Sequence, residues 1–545
     1  MALPASGCGL CPEYEKGDLP IFDQQVIGLA AGLDRAYAGI DSYGLDDVLE
    51  QHARVRPQAL AAVCNGARIT WQQMHARCQA LADELSAAGL ATGDRVLWWG
   101  QNCHRLLEVL FAVAKLGAVV CPANWRQTTS ELQFVLNDCA PTVVIWQAQE
   151  IGDIACTVRA HSHDEALWIQ HDATGPDSYE ARVRAAQARQ AAPRGPGDAG
   201  TPVLMMYTAA FDGQPNGALL SDRALLAQSS TVRLLERLDD TTVYLNSGPM
   251  FHIGSLRRTV AVAHSGGLNV FCRRVDAAEL CRLIDAERCT HAFLQPPTMA
   301  QMVQANSGGP FNLKSLRSTG GPTGWNEMVT VTDREVTSGY GQTEVAGVVT
   351  FHYPDRPSIG ALPGPLARVE VHSADGLPVA PGETGEIVVR GPMVMNGYHA
   401  RPALNAARGR GGWHHTNDLG RLEHDGSISF IAPLQRMIKS AAENIYPIEV
   451  ESALLDHPDV AEAAVLGVPD PQWGQRVKAV VVTKGDVSAE DLLAFCRTKL
   501  AGYKCPRLFE FVASLPRTRG QLDRDRLDAR YGGGGYPGTR TTQED

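Results

Sequence analysis

A glycine-containing turn directly after an apolar segment has the composition of a phosphate site. Residues 203–207 (VLMMY) predict a buried strand, and TAAFDGQPNG follows at residues 208–217. Backbone N–H groups in a turn placed this way commonly bind phosphate oxygens. The turn contains Asp212 and no lysine or arginine. Its charge therefore disfavours a triphosphate, which carries roughly four negative charges.

Four motifs further along the chain contain glycines, hydroxyls or carboxylates that could bind a ligand. They are PMFHIG at residues 249–254, STGGP at 318–322, SGYGQTE at 338–344 and WHHTNDLG at 413–420. Each string is weak alone, because a Gly-Gly-Pro run is usually only a turn. In this order and spacing they make the chain, from about Leu45 to Leu527, resemble the adenylate-forming superfamily of acyl-CoA synthetases, luciferases and peptide-synthetase adenylation domains.

The resemblance implies a site for an acyl-adenylate. Tyr340 is expected to stack on adenine, Thr343 to bond the α-phosphate, and Glu344 to hold magnesium. Asp418 suits the two ribose hydroxyls, because a carboxylate accepts both hydrogen bonds. His252 is expected to border the acyl pocket. The other motif positions assigned to this site, where glycine allows close backbone approach, are Gly320, Gly321, Pro322 and Gly341.

The phosphate loop keeps the frame of the superfamily but departs from it in chemistry. Members carry approximately YTSGTTGxPKG here, and its hydroxyls and lysine neutralise the β and γ phosphates of ATP. In this chain Ala209 and Phe211 replace hydroxyl residues, and Asn216 stands in the position of the lysine. Asp212 adds a negative charge beside the expected phosphate path. We interpret the loop as structural.

The segment that joins the two domains of such proteins also departs from its pattern, GRxKDxIKxxGENI. Residues 432–445 read APLQRMIKSAAENI, with Arg436 at the hinge position. Ala441 and Ala442 replace a glycine pair that lies against the pantetheine arm of CoA in CoA-using members. The candidate contacts for the CoA phosphates are Lys439, Lys499, Lys504 and Arg507. For any single one of them, solvated surface charge is the favoured interpretation.

The family's catalytic lysine is replaced near the end of the chain. Residues 515–522 (LPRTRGQL) align with LPRTxxGKI, are one residue shorter, and have Gln521 at the position of the lysine. That lysine bridges the attacking carboxylate and the α-phosphate during adenylation. Removing one preorganised contact of this kind typically costs on the order of 10²–10³ in rate.

The two lysine losses both fall on the first half of the reaction, in which a carboxylate attacks ATP. The second half, attack of the CoA thiol on the acyl-adenylate, needs neither lysine. The leading hypothesis is therefore a non-adenylating acyl-CoA ligase that takes a preformed acyl-adenylate and CoA. A separate adenylating ligase would supply the adenylate, a division of labour similar to that in bacterial natural-product pathways such as those of platensimycin-type antibiotics.

Two other hypotheses stay open. One is a complete ATP-dependent ligase that uses Arg517 or Arg519 in place of the lysine. The other is a catalytically dead nucleotide-binding or scaffold protein. A carrier-protein phosphopantetheine is an alternative acceptor to free CoA, and the need for Mg²⁺ is open as well.

The elements that must position these groups alternate along the chain. Helical spacing ending at Gly89 and Gly117 alternates with apolar strands, which predicts an α/β fold with largely parallel sheets. We expect a large acyl-adenylate-binding domain over residues 45–434, with two αβα subdomains and a small β-barrel subdomain. A mobile α+β domain is expected at 435–530. Residues 1–44 predict an irregular leader, and 531–545 a disordered tail.

Composition narrows the classes of partner. The 545-residue chain has a formal net charge of −11, which disfavours nucleic acid. No apolar run reaches the roughly 20 residues of a membrane span, and the N-terminus lacks a signal-peptide pattern, so a cytoplasmic location is expected. Thirteen scattered cysteines fit reduced thiols, and the single CxxC at Cys8 and Cys11 gives weak support for a metal.

Overall fold

The computed structural model describes residues 43–162, 165–187, 198–208, 215–332, 336–434, 436–441, 443–518 and 521–536. Nearly all of the predicted leader, with its CxxC pair, lies outside these ranges. The described chain is an α/β protein with a large N-terminal domain and a small C-terminal domain. This confirms the fold class predicted from the sequence.

The helices end where the local sequence supplies caps and breakers. Thr70 and Thr128 each accept a hydrogen bond from the backbone N–H three residues on, and Gly117 ends its helix with a positive φ. The helices of the large domain are α1 (Leu45–Val55), α2 (Trp71–Ala87), α3 (His104–Leu116), α4 (Thr129–Cys139), α5 (Ala148–Ala160), α6 (Tyr179–Gln187), α7 (Asp222–Leu235), α8 (Ile253–Ser265), α9 (Ala277–Glu287), α10 (Pro296–Ala305), α11 (Trp325–Met328) and α12 (Pro402–Arg408). Those of the C-terminal domain are α13 (Pro447–Leu455), α14 (Ala489–Lys499) and α15 (Arg524–Tyr531).

The strands are short and many are fully buried. The first ten are β1 (Leu60–Cys64), β2 (Ala67–Thr70), β3 (Arg95–Trp99), β4 (Val119–Pro122), β5 (Val143–Trp146), β6 (Leu167–Gln170), β7 (Pro202–Thr208), β8 (Asn216–Ser221), β9 (Val243–Asn246) and β10 (Leu268–Phe271). The next thirteen are β11 (His291–Ala292), β12 (Arg317–Ser318), β13 (Thr330–Val331), β14 (Thr337–Ser338), β15 (Gly341–Gln342), β16 (Gly347–Val348), β17 (Thr350–His352), β18 (Leu362–Pro363), β19 (Arg368–His372), β20 (Thr384–Arg390), β21 (Gly397–Tyr398), β22 (His414–Leu422) and β23 (Ile428–Pro433). The C-terminal strands are β24 (Ile438–Ser440), β25 (Glu443–Ile445), β26 (Val460–Asp470), β27 (Gly474–Thr483), β28 (Leu508–Phe511), β29 (Arg517–Thr518) and β30 (Gln521–Leu522).

Two largely parallel sheets form the body of the large domain. One has the order β21-β8-β7-β4-β3-β5-β6, with its last five strands parallel, and the other has the order β11-β9-β10-β1-β2. Pro122 and Thr208, at the ends of β4 and β7, and Ser247, just after β9, line one central cavity. The carboxyl ends of strands from both sheets therefore meet there, which is where open α/β sheets bind ligands.

Smaller antiparallel sheets complete the large domain. The strands β19-β20-β22-β23 form one of them, and β22 carries the 413–420 motif along its length. The C-terminal domain is built on β25-β24-β27-β26, with β28 parallel to β27. Its buried apolar residues form clusters confined to that domain, which fits an independent folding unit. The exact domain boundaries stay predictions.

Order continues into the segment predicted to be a disordered tail. Tyr531 ends α15 and is buried, and Tyr536 OH donates to Asp528 Oδ1 at 2.9 Å. Two aromatic rings that pack on the domain explain why residues 531–536 are ordered despite their glycines. Residues 537–545 lie outside the described chain. In the described part, no helix has the length and apolarity to cross a membrane.

Candidate active site

The central cavity, of about 770 Å³, brings most of the motifs together. Its walls come from both the large and the C-terminal domain. The residues predicted for the site that line it are His252, Tyr340, Gly341, Thr343, Glu344, Asp418 and Lys439. Gly320, Gly321 and Pro322 are not among the lining residues. Gly321 instead packs against Trp325, where an added Cβ would approach the indole to 2.5 Å.

A hydrogen-bonded network holds Asp418 at the cavity. Tyr340 OH donates to Asp418 Oδ2 at 2.6 Å, and Gln342 Nε2 donates to Tyr340 OH at 2.9 Å. The Tyr340 ring stacks on Phe430 with centroids 5.7 Å apart, so its plane is fixed. Burial, with the nearby charge of Glu344, raises the pKa of Asp418 to about 6 although the Tyr340 bond opposes this.

His414 extends this network through its contact with Gln342. Its Nε2 lies 2.7 Å from Gln342 Oε1, and burial lowers the pKa of His414 to about 3. The ring is therefore neutral and donates its Nε2–H to Gln342. Sequence reasoning named the motif that contains His414 but gave the histidine no role, because its partner lies 72 residues away.

Glu344 is the one residue predicted to hold a metal. It is buried, accepts a hydrogen bond from Tyr398 OH at 2.7 Å, and burial raises its pKa. Mg²⁺ takes six oxygen ligands and usually keeps several waters. Glu344 fits Mg²⁺ only as one ligand that shares the ion with phosphate oxygens of a nucleotide.

The phosphate loop is partly described. Ala209, Phe211 and Asp212 lie outside the described residues. Asn216 begins β8, is 1% exposed, and accepts a hydrogen bond from Arg401 Nε at 3.1 Å. Arg401, which the motifs did not flag, is itself paired with Asp138 at 2.6 Å. The residue in the lysine position is thus an uncharged amide, and the nearest described cation is neutralised by a carboxylate.

The C-terminal domain closes the cavity with one particular face. The residues it contributes are Met437, Lys439, Glu443, Asn444, Tyr446, Tyr503 and Lys504. Lys504 is 6% exposed and its Nζ lies 2.7 Å from Glu131 in α4 and 2.6 Å from Glu449 in α13. Burial would lower its pKa, but Glu449 and Glu131 outweigh this and raise it. A buried ion triad therefore ties the two domains together.

A histidine and a carboxylate from different domains face each other in the cavity. His252 Nε2 lies 3.4 Å from Glu443 Oε2, and no described residue gives that nitrogen a hydrogen bond. Burial opposes ionisation of Glu443, but the facing His252 and then Arg126 outweigh it, and the pKa of Glu443 is lowered. Lys439 Nζ donates to Asn444 Oδ1 at 2.7 Å on the same loop.

Ala441 of this loop does not line the cavity. Ala441 is exposed and has φ +52°, a left-handed backbone that glycine adopts without strain. Ala442 lies outside the described residues. The assignment of Ala441 and Ala442 to the path of the pantetheine arm therefore stays a prediction.

The hinge position is anchored on both sides. Leu434 N donates to Asn417 O at 2.9 Å in the large domain. Arg436 pairs with Asp525 and Asp528, and its Nη1 donates to Arg524 O at 3.1 Å in the C-terminal domain. The role of Arg436 as a hinge stays a prediction.

The segment that replaces the lysine-bearing motif is a small hairpin. In it β29 pairs with β30, with Thr518 opposite Gln521. Arg517 and Leu522, whose side chains are described, do not line the central cavity. Arg517 Nη2 donates to Glu462 at 2.6 Å, within the C-terminal domain. Arg519 lies outside the described residues.

Comparison with known proteins places this architecture in a family. Residues 49–399 match the family described as AMP-binding enzyme, and residues 449–521 match the AMP-binding enzyme C-terminal domain. The chain belongs to the AMP-binding enzyme family. It is an acyl-CoA ligase of the adenylate-forming superfamily, as the motifs predicted.

Relatives of this ligase cover nearly its whole length. A feruloyl-CoA synthase of Amycolatopsis sp is 34% identical over 506 residues, which span 90% of the ligase and 99% of that protein. A fatty acid–[acyl-carrier-protein] ligase of Streptomyces coeruleorubidus is 31% identical, over 88% of the ligase and 95% of that protein. A double mutant of o-succinylbenzoate CoA synthetase from Bacillus subtilis, bound with the product analogue OSB-NCoA, superposes with a TM-score of 0.72 at 25% identity, covering 88% and 97% of the two chains.

The ligase should bind adenosine less well as Asp418 becomes protonated. A carboxylate accepts both ribose hydroxyls, whereas the acid form does not, and the pKa of Asp418 is about 6. Calorimetric titration of adenosine, itself uncharged, should show affinity falling as pH decreases from about 8 to about 5. The Asp418→Asn variant should bind weakly with no such pH dependence, and a pH-dependent Asp418→Asn variant would contradict the assignment.

Replacing Lys504 should undock the C-terminal domain. Lys504→Met leaves Glu131 and Glu449 without their shared cation, a loss of roughly 3–5 kcal/mol for a buried pair. Small-angle scattering should show a larger radius of gyration, and protease should cleave near residues 434–436. The control is Lys499→Met, whose Nζ pairs with the exposed Asp456 at 3.2 Å. An unchanged scattering profile for Lys504→Met would refute the triad as the tie between domains.

Proposed function

We propose that this ligase converts a supplied acyl-adenylate and CoA into acyl-CoA and AMP, without making the adenylate from ATP. The observation that carries the proposal is the face of the C-terminal domain on the cavity. That face presents the loop with Lys439 and Glu443. Arg517, in the hairpin that carries Gln521, binds Glu462 instead and does not line the cavity. This face of the domain supports thiol attack over attack on ATP.

Charge at the phosphate end supports the same half-reaction. A triphosphate needs cations and donors along its path. Asn216 is neutral and buried, Arg401 is engaged by Asp138, and Gln521 replaces the second lysine. An acyl-adenylate carries a single phosphate charge, so its binding depends far less on these positions.

The remaining chemistry is removal of the thiol proton and departure of AMP. The thiol sulfur forms a bond to the acyl carbonyl carbon, the carbon–oxygen bond to the phosphate breaks, and AMP leaves with that electron pair. We assign His252 as the base that takes the thiol proton, with Glu443 stabilising the imidazolium. The pair exists only when the domains are docked, because each residue belongs to a different one.

The AMP moiety, which is the leaving group, is bound by the motif residues of the large domain. Tyr340 supplies a flat ring, and Asp418 and Thr343 supply polar contacts to ribose and phosphate. Departure of AMP places one more negative charge on its phosphate, and Glu344 would hold a cation against that charge only if one accompanies the nucleotide. Positioning of thiol and anhydride supplies much of the rate in such a reaction.

A complete ATP-dependent ligase and a purely binding protein have less support. The relatives named above include CoA ligases with which this chain shares its overall fold, which favours a complete ligase. However, Arg517, its candidate replacement for lysine, binds Glu462 away from the cavity. A purely binding protein would have no need for the His252–Glu443 pair. The carrier-protein ligase among the relatives makes a carrier-protein thiol the second candidate acceptor.

The half-reaction is tested by supplying its substrates separately. Purified ligase is incubated with synthetic acyl-adenylates and CoA, and in parallel with free acids, ATP, Mg²⁺ and CoA, and thioester is followed by mass spectrometry. We expect thioester from the adenylates only, and no pyrophosphate exchange. The feruloyl-CoA synthase relative serves as the positive control for the ATP arm. Thioester from acid and ATP would refute the proposal, and no thioester in either arm would favour the binding protein.

The base assignment is tested by substituting each partner. His252→Ala should lower kcat for thioester formation from acyl-adenylate by on the order of 10²-fold and remove the dependence on a basic group from the pH profile. Glu443→Gln should have a smaller effect in the same direction. His424→Ala, an exposed histidine, is the matched control. An unaltered pH profile in His252→Ala would exclude this histidine as the base.

A further inference from the structure

Two cysteines and a histidine lie together in the core of the large domain. Cys64 ends β1, Cys103 directly precedes α3, and His104 is the first residue of that helix. Their exposed fractions are 4%, 5% and 3%. None of these three residues lines the central cavity. The cluster therefore lies outside the site of the proposed reaction.

The spacing of the three side chains matches that of metal ligands. Cys64 Sγ and Cys103 Sγ are 4.0 Å apart, and Cys103 Sγ is 3.6 Å from His104 Nδ1. One ligand atom from each residue lies within 4.8 Å of the other two. Zinc bonds of about 2.3 Å to sulfur and about 2.0 Å to nitrogen, at tetrahedral angles, put two sulfurs roughly 3.8 Å apart and a sulfur and a nitrogen roughly 3.5 Å apart. An ion would lie between atoms that already have these separations, so the site needs no cavity beyond them.

The residues around the histidine support a metal-binding orientation of its ring. His104 presents Nδ1 to Cys103, and its other ring nitrogen, Nε2, faces Glu108 Oε1 at 3.8 Å. Glu108 accepts hydrogen bonds from Arg77 Nε at 2.6 Å and from Tyr179 OH at 2.8 Å, which fix the carboxylate. A metal-bound histidine commonly directs its second nitrogen at a carboxylate. Glu108 therefore favours the ring position in which Nδ1 points at the two sulfurs.

The charge of the ligand set favours a divalent ion. Cysteine binds a metal as the thiolate and histidine as the neutral imidazole. Two thiolates with Zn²⁺ make a neutral centre, which costs least to bury. Cu⁺ would leave one negative charge in the core. Arg105 Nη1 donates to Cys103 Sγ at 3.6 Å, but the charge of Arg105 is already engaged by Glu180, which accepts from its Nε at 2.8 Å.

We propose that Cys64, Cys103 and His104 bind one Zn²⁺ ion, with a water in the fourth position. Two cysteines and one histidine with a fourth, non-protein ligand form an established type of zinc site. The thiol protons go to solvent as the ion binds. Cys64 belongs to the sheet β11-β9-β10-β1-β2, whereas Cys103 follows β3 of the seven-stranded sheet. The ion ties these two sheets together and stabilises the large domain, and it takes no part in the reaction.

Zinc binding by the full chain tests the proposal. Metal content is measured by plasma mass spectrometry, and zinc affinity by competition with a chelator of known affinity. We expect one zinc ion per wild-type chain. Cys64→Ala and Cys103→Ala should each weaken zinc binding more than about 100-fold, since the loss of an outer partner of a ligand alone costs about 10–100-fold. Cys78→Ala, which changes a fully buried cysteine of the same apolar core, should bind zinc as wild type does.

A second control concerns the CxxC pair near the start of the chain, Cys8 and Cys11. The double variant Cys8→Ala/Cys11→Ala should keep the zinc of wild type. Zinc that is lost in this double variant and retained in Cys103→Ala would place the ion at the CxxC pair and refute the proposal.

X-ray absorption at the zinc edge uses wild type, so it does not depend on whether a variant folds. We expect two sulfurs at about 2.3 Å and nitrogen or oxygen neighbours at about 2.0 Å. Removal of zinc by prolonged treatment with a chelator should lower the Tm of wild type and leave that of Cys103→Ala unchanged, because an ion stabilises only a chain that binds it.

Three further results would overturn the inference. One is a wild-type chain that is purified without zinc and takes up none when it is refolded with Zn²⁺. Another is a disulfide between Cys64 and Cys103 in a peptide map made without reductant. Copper in place of zinc in the purified protein would refute the choice of ion. No readout here uses thioester formation, so the outcome is independent of the proposed function.

Discussion

The cavity depends on one buried ion triad between the domains. Lys504 lies between Glu131 and Glu449 and is almost fully removed from water. Breaking a buried pair of this kind is costly, because it leaves an uncompensated charge. The contact between His252 and Glu443, and the entry of Lys439 into the cavity wall, both require the docked position that the triad holds. The part of the cavity wall that contains His252, Glu443 and Lys439 therefore depends on how the domains dock as well as on which residues they carry.

Under the proposed function, substitutions and retained motifs divide along the two halves of one reaction. Asn216, expected at the triphosphate, is an uncharged amide, and the adjacent Arg401 is paired with Asp138. The residues expected to hold a nucleoside form a continuous hydrogen-bonded network, from His414 through Gln342 and Tyr340 to Asp418. Binding of a triphosphate depends on charge, and binding of a nucleoside depends on hydrogen-bond geometry. Substitutions can therefore change one set of positions without changing the other.

Local signals in the sequence predicted the fold and most of the nucleotide wall. The helix predicted to end at Gly117 is observed as His104–Leu116, because apolar periodicity and a terminal glycine mark it locally. Motif residues such as Tyr340 and Asp418 come together in the structure, while their roles toward a nucleotide stay predictions. The pairs Arg401–Asp138 and Lys504–Glu131 were not predicted, since their members lie 263 and 373 residues apart and no local pattern links them. The packing of Tyr536 was not predicted either, because this residue lies in a glycine-rich segment whose composition is typical of disorder.

The contacts of residues 434 and 436 bear on where a domain rotation would occur. Leu434 is bonded to the large domain and Arg436 to the C-terminal domain. A rotation that preserved both contacts would turn about the backbone torsions between these two residues, and Arg436 would move with the C-terminal domain. A catalyst that performs one half-reaction needs only one orientation of that domain, so its cycle can omit the large rotation that separates the two steps in a complete ligase.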